Sequence, residues 1–171
     1  MSKRFIVARW ILLGFTIIWT AYIIYHSCLD ASASSGASAG IAKIMQDIIN
    51  TLFPNAINET NIDSFHSFVR KFIGHFSMFV IDGFFLSWTT YLFCIEKGKR
   101  KDFCVGIIIC LVFGLLLAST TEIIQLNVPG RSGEIKDVLI DYLGYLLGTL
   151  TIFIICLVKK LKANKNLSEE E

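Results

Sequence analysis

Four stretches of this chain are apolar for long enough to cross a lipid bilayer. No other feature limits its fold as strongly. They run over residues 10–26, 72–95, 103–121 and 138–158. A helix needs about 20 mostly apolar residues to span the hydrocarbon core. Backbone N–H and C=O groups in that core must bond within their own segment, so each stretch is expected to be helical. Composition agrees, with 54% of the 171 residues hydrophobic and only 18% charged, against about 25% charged in soluble domains. The expected fold is all-α: a polytopic membrane protein of four transmembrane helices plus one extracytoplasmic amphipathic helix. A net charge of +2 makes nucleic acid a poor partner. The bilayer is the partner that composition implies.

Basic residues give the chain a direction. Lys3, Arg4 and Arg9 precede the first stretch, Lys97, Lys99, Arg100 and Lys101 join the second to the third, and Lys159, Lys160, Lys162 and Lys165 follow the fourth. These eleven of the sixteen basic residues share one side if there are four spans. Positive charge is retained inside, which puts both termini in the cytoplasm. Residues 1–161 form one expected transmembrane domain and 162–171 a charged cytoplasmic tail. Lys3 and Arg4 before the first stretch, with Ala31-Ser32-Ala33 after it, also fit a signal peptide. The length of the run and the three spans that follow favour an uncleaved first span.

The loop from His26 to Lys71 then lies outside. Asp30 to Gly40 is rich in Ser, Ala and Gly and is expected to be a flexible connector. Ile41, Ile44, Met45, Ile48, Ile49 and Leu52 follow at helical spacing. They make a stripe suited to the interface or to covering the bundle mouth. Pro54 ends that helix, and Asn55 to Asp63 is expected as a polar turn. Asn58-Glu59-Thr60 fits a glycosylation sequon.

The five cysteines, Cys28, Cys94, Cys104, Cys110 and Cys156, make no CxxC pair and have no histidine at finger spacing. They are expected to be small buried hydrophobes, with no metal site and no cofactor.

Scarce polar residues gather at one depth. Arg70 and Lys71 stand at the outer mouth of the second span, suited to headgroup anchoring or to a phosphate or carboxylate. His75 lies one turn in, and Asp82 follows seven residues later on the same face. A charged Asp at that depth must face the bundle interior, find a partner or be protonated. Gly74 and Gly83 beside them suit close helix packing. Glu122 and Gln125 share a helix face, as do Asp137 and Asp141. Pro129-Gly130 makes a tight turn, and Ser132 or Gly133 is expected to open the fourth helix. In an alternative, purely structural reading, Arg131 pairs with Glu122 or Asp137 and holds the hairpin together. Gly144 and Gly148 continue the Asp137–Asp141 face as a packing groove and a candidate self-association face. Arg70, Lys71, His75, Glu122, Gln125, Arg131, Asp137 and Asp141 are the expected ligand-binding set. His75, Glu122 and Asp137 are the candidates for chemistry.

The same residues carry a resemblance. Arg70-Lys71-x-x-Gly74-His75-Phe76, Glu122-x-x-Gln125, Pro129-Gly130-Arg131 and Asp137-x-x-x-Asp141-x-x-Gly144 resemble the motifs of VanZ-like membrane proteins, in the same order. Asp141 stands where many relatives carry Asn, and Asp82 falls where an apolar residue is expected. The resemblance implies a bacterial cytoplasmic-membrane protein of the cell envelope. The family's name-giving member is associated with teicoplanin resistance, and no settled biochemical activity comes with the family.

Three function classes follow. One is a binding protein whose Arg70, Lys71 and Arg131 engage an anionic or lipidic envelope ligand or a glycopeptide. The second is an enzyme on a lipid-linked or phosphate-bearing substrate, with His75 as acid/base, Glu122 or Asp137 orienting it and Arg131 stabilising charge. No recognised catalytic motif accompanies it. The third is a small transporter or accessory subunit, which needs self-association because four spans are few.

Overall fold

A computed structural model describes residues 3–96 and 100–169. Lys97 and Lys99, which helped to set the expected direction, lie outside the described residues. All regular structure among the described residues is helical: α1 (Lys3–Ser27), α2 (Ala31–Leu52), α3 (Ile62–Phe68), a π-helix (Val69–Phe76), α4 (Ser77–Glu96), α5 (Arg100–Gln125) and α6 (Ile135–Glu169). Four segments are long and apolar enough to cross a membrane: Ile6–Ser27, Ile62–Cys94, Cys104–Gln125 and Ile135–Lys159. The chain is a multi-pass membrane protein. Helices overrun the apolar stretches because a hydrogen-bonded ladder propagates into polar sequence more easily than it starts anew. Thus α5 continues past Thr121 to Gln125, and α6 continues through the expected tail to Glu169.

α4 is the central helix, packed on α1, α5 and, most extensively, α6. Its core side chains, Met78 and Phe79, meet Ile23 of α1, Leu117 and Ala118 of α5 and Tyr145 of α6. Lipid-facing positions are apolar in turn. Ile11, Ile18, Ile108, Ile109, Leu116, Leu143 and Ile154 are all exposed, as suits a bundle whose solvent is hydrocarbon.

Glycines fix the α4–α6 contact. A Cβ on Gly83 would strike the backbone of Tyr145, one on Gly144 the carbonyl of Phe76, and one on Gly148 the carbonyl of Val80 and the amide of Phe84. The expected packing groove is therefore occupied by this chain's own α4 and the π-helix before it. Gly74 meets nothing within 4 Å and is not part of that contact.

Polar side chains inside the bundle pair across helices. Thr20 donates to Asp82 Oδ1 at 2.7 Å and Ser87 to Thr149 at 3.1 Å. Asp82 thus faces the interior and has a partner, although its second oxygen has no hydrogen bond among the described residues.

Two local expectations are corrected. Residues 30–40 are not a connector but the N-cap and first half of α2. Asp30 caps this helix by accepting from the Ala33 amide at 2.8 Å. The stretch alternates Ala with Ser, and alanine's helix propensity together with a proper N-cap outweighs the glycines. The apolar stripe beyond it faces away from the protein: Ile44 and Leu52 are 62% and 67% exposed while Ala42 is buried. Of the five cysteines, only Cys110 is buried, and Cys28 and Cys104 are exposed. Cys94 and Cys156 are partly buried.

Candidate functional site

Five segments converge at one end of the bundle: the end of α1, the π-helix, the end of α5, the 126–134 connection and the start of α6. The Arg70–His75 motif lies entirely within the π-helix. Its wider turns hold both Val69 and His75 inward. Such segments recur at functional sites because they break the regular helical register. Ser77 closes it by donating to the carbonyls of Ile73 and Gly74.

The 126–134 connection folds back on α5. Gly130 has φ of 72°, a left-handed conformation that glycine adopts without strain. Gly133 lies so close to the Glu122 carbonyl and the Leu126 side chain that a Cβ would not fit. This approach delivers the Glu134 amide to Glu122 Oε2 at 3.0 Å. Gln125 donates to Oε1 of the same carboxylate at 2.9 Å. Helix α6 accordingly opens at Ile135, two or three residues later than expected. The Glu134 carbonyl accepts from Asp137 and Val138.

Arg131 makes neither of the carboxylate pairs of the alternative, structural reading. Its Nη1 donates to the carbonyls of His26 and Leu29, both at 3.3 Å, and its Nη2 stands 3.1 Å from His75 Nε2. Burial and the neighbouring Arg70 charge lower its affinity for its proton, against the pull of Glu122, Asp137 and Asp141. A guanidinium nevertheless remains charged and only donates, so His75 Nε2 accepts and the ring proton sits on Nδ1.

That Nδ1 faces Asp141 Oδ2 at 3.8 Å, beyond hydrogen-bond reach. Asp141 is fully buried, and neither of its oxygens has a hydrogen bond among the described residues. Asp141, which was not among the partners expected for His75, faces its ring, and a Glu122 oxygen lies within 4.8 Å of a ring nitrogen as well. Asp137 is engaged elsewhere: Lys71 Nζ lies 2.8 Å from its Oδ1 and 3.6 Å from Glu134 Oε2. Lys71 thus ties the π-helix to the start of α6.

Arg70 points another way. With Asp63, His66, Ser67, Ser38 and Ala42 it lines a cavity of about 290 Å³ between α2 and α3.

Two participants were not read from the sequence. The His26 ring is edge-on to His75, with centroids 6.0 Å apart. Glu134 bridges Glu122 and Lys71. The position of His26 at the end of the first span was the available signal, since topology brings that end beside His75. Finger-type spacing likewise could not reveal that donor atoms of His75, Glu122 and Asp141, from three different helices, lie within 4.8 Å of one another.

The family model described as VanZ/LLP1 matches residues 12–157, from α1 well into α6. The chain belongs to the VanZ/LLP1 family. No curated protein and no solved structure matches it. The part matched to VanZ/LLP1 contains every residue of the mouth cluster, from His26 to Asp141.

Proposed function

We propose that this VanZ/LLP1 protein resides in the bacterial cytoplasmic membrane with both termini inside. Its mouth cluster binds an anionic group borne by an envelope lipid or by a lipid-like glycopeptide in the outer leaflet. One observation carries the reading: Arg131 is half-buried at the mouth, yet its donors go to two carbonyls and an imidazole rather than to a carboxylate. A guanidinium held this way keeps its charge for an incoming anion, which it can meet with a planar fork. The outward apolar face of α2, with Ile44, Ile48 and Leu52 exposed, supports a mouth set at the lipid surface.

The test uses full-length protein in phosphatidylcholine nanodiscs, titrated with a fluorescent phosphatidylglycerol or with labelled teicoplanin. Saturable binding that Arg131→Ala weakens by about 10-fold or more supports the reading, since a charge-assisted bond contributes about 1.5–3 kcal/mol. Binding equal in wild type and Arg131→Ala removes it. A glycopeptide role requires that cells with the protein take up labelled teicoplanin differently from cells without it.

The buried imidazole beside an unbonded carboxylate favours one second reading, lipid chemistry with His75 as proton carrier. Envelope lipid analysis separates the two. A His75→Ala strain that loses its phenotype with unchanged lipids supports binding alone.

A further inference from the structure

We propose that His75, Asp141 and Glu122 form a site for one divalent first-row transition cation. The inference goes beyond anion binding and does not rest on it.

The donors converge from the π-helix, α6 and α5, with one ligand atom from each within 4.8 Å of the others. Donors sharing one ion at about 2.0–2.2 Å stand roughly 3–4.3 Å apart. The 3.8 Å between His75 Nδ1 and Asp141 Oδ2 falls in that range, and the 4.8 Å within which all three ligand atoms lie exceeds it by only about half an ångström.

Asp141 supplies the independent observation. It is 0% exposed and neither oxygen has a hydrogen bond among the described residues. Buried carboxylates ordinarily have partners. A cation between His75 and Asp141 is the partner its position fits.

Glu122 is already oriented as a ligand. Gln125 and the Glu134 amide each hold one of its oxygens and leave a further lone pair on each. Such outer contacts are what fix ligand carboxylates in metal sites.

Charge agrees. Lys71 is committed to Asp137 and Glu134 and Arg131 to two carbonyls and the imidazole, so Glu122 and Asp141 bring two carboxylates together without a direct Lys or Arg ion pair among the described residues. One imidazole nitrogen with two carboxylate oxygens suits Zn²⁺ or Mn²⁺.

The site also has a consequence for Arg131. A cation on Nδ1 requires the tautomer with its proton on Nε2. That N–H would oppose the Arg131 Nη2 donor now 3.1 Å away. Cation binding therefore releases Nη2 while Nη1 stays on the His26 and Leu29 carbonyls. Arginine and cation compete for the histidine.

The experiment uses full-length protein in phosphatidylcholine nanodiscs, stripped with chelator and titrated calorimetrically with Zn²⁺ alone and with Mn²⁺ alone. The expected result is one saturable equivalent per chain, weakened at least about 10-fold by Asp141→Asn and by Glu122→Gln. Arg131→Ala should bind the ion more tightly than wild type, a gain that misfolding cannot produce. No saturable binding by wild type overturns the proposal. So does Asp141→Asn binding within about twofold of wild type, or weaker binding by Arg131→Ala. None of these readouts involves a lipid or an antibiotic, so failure here is distinct from failure of anion binding.

Discussion

Gly148→Ala adds one carbon where α6 crosses α4. That carbon would overlap the Val80 carbonyl and the Phe84 amide. Both are backbone atoms of α4 and cannot swing aside as a side chain can, so the two helices must separate. Overpacking of this kind costs typically about 1–3 kcal/mol, and a rigid backbone partner puts this case near about 3. Replacing glycine by alanine within a helix returns roughly 0.5–1 kcal/mol. The net loss is about 2 kcal/mol.

Gly14→Ala is the internal reference. It has nothing within 4 Å of its added carbon, so only the gain of roughly 0.5–1 kcal/mol applies. For a chain of this length each kcal/mol moves the midpoint by about 2–4 °C. Gly148→Ala should therefore melt about 4–8 °C below wild type, and Gly14→Ala about 1–4 °C above it. Tryptophan fluorescence of detergent-solubilised protein reads both. Size-exclusion chromatography should show the same oligomeric state throughout. Gly148→Ala melting with or above wild type would refute backbone contact between α4 and α6. So would a changed oligomeric state at unchanged stability, because it would assign the glycine face to another copy.

Removing the Lys71 partner should leave Asp137 half-buried and unpaired, so Lys71→Met should lose about 1–3 kcal/mol in denaturant unfolding, and a second change, Asp137→Leu, should restore most of it. In a cysteine-free background, Ser132→Cys should react with an impermeant maleimide in intact cells, and Lys162→Cys only after permeabilisation; the reverse pattern would invert the topology. The Asp30 carboxyl is held below its ordinary value of 3.8 by the Ala33 amide and the Ser32 hydroxyl. Its stabilisation of α2 is therefore full above the unfolded-state value and is lost as pH falls through the folded one. Amide exchange at Ala33, corrected for its intrinsic pH dependence, should show protection falling below about pH 4, and Asp30→Ala should remove that dependence.

Much of the site was legible because depth in a membrane is a one-dimensional property. Where His75, Glu122, Arg131 and Asp141 fall along their spans follows from counting residues, and four spans bring them to one end. Their partners were not legible. Arg131 had two carboxylates within plausible reach, yet it bonds the carbonyls of His26 and Leu29, because Gly130 turns the connection back toward the end of α1. Asp137 and Asp141 looked equivalent four residues apart. Lys71 takes the first and His75 faces the second, because the π-helix sets the direction of both. The start of α2 was misread because small residues serve flexible linkers and capped helices alike, and local composition does not distinguish them.

The sequence by itself determined that the chain spans a membrane four times, which residues border each span, and at which end its polar side chains collect. Those properties depend on the summed cost of placing each residue in hydrocarbon, which is nearly independent of neighbouring helices. Only the tertiary structure decided how each helix is rotated, that Gly144 and Gly148 pack against the π-helix and α4, and that ligand atoms of His75, Asp141 and Glu122 come together. Rotation and pairing depend on contacts between segments distant in sequence. A bare glycine surface or one turn of π-helix moves every side chain beyond it without changing the hydropathy of the chain at all.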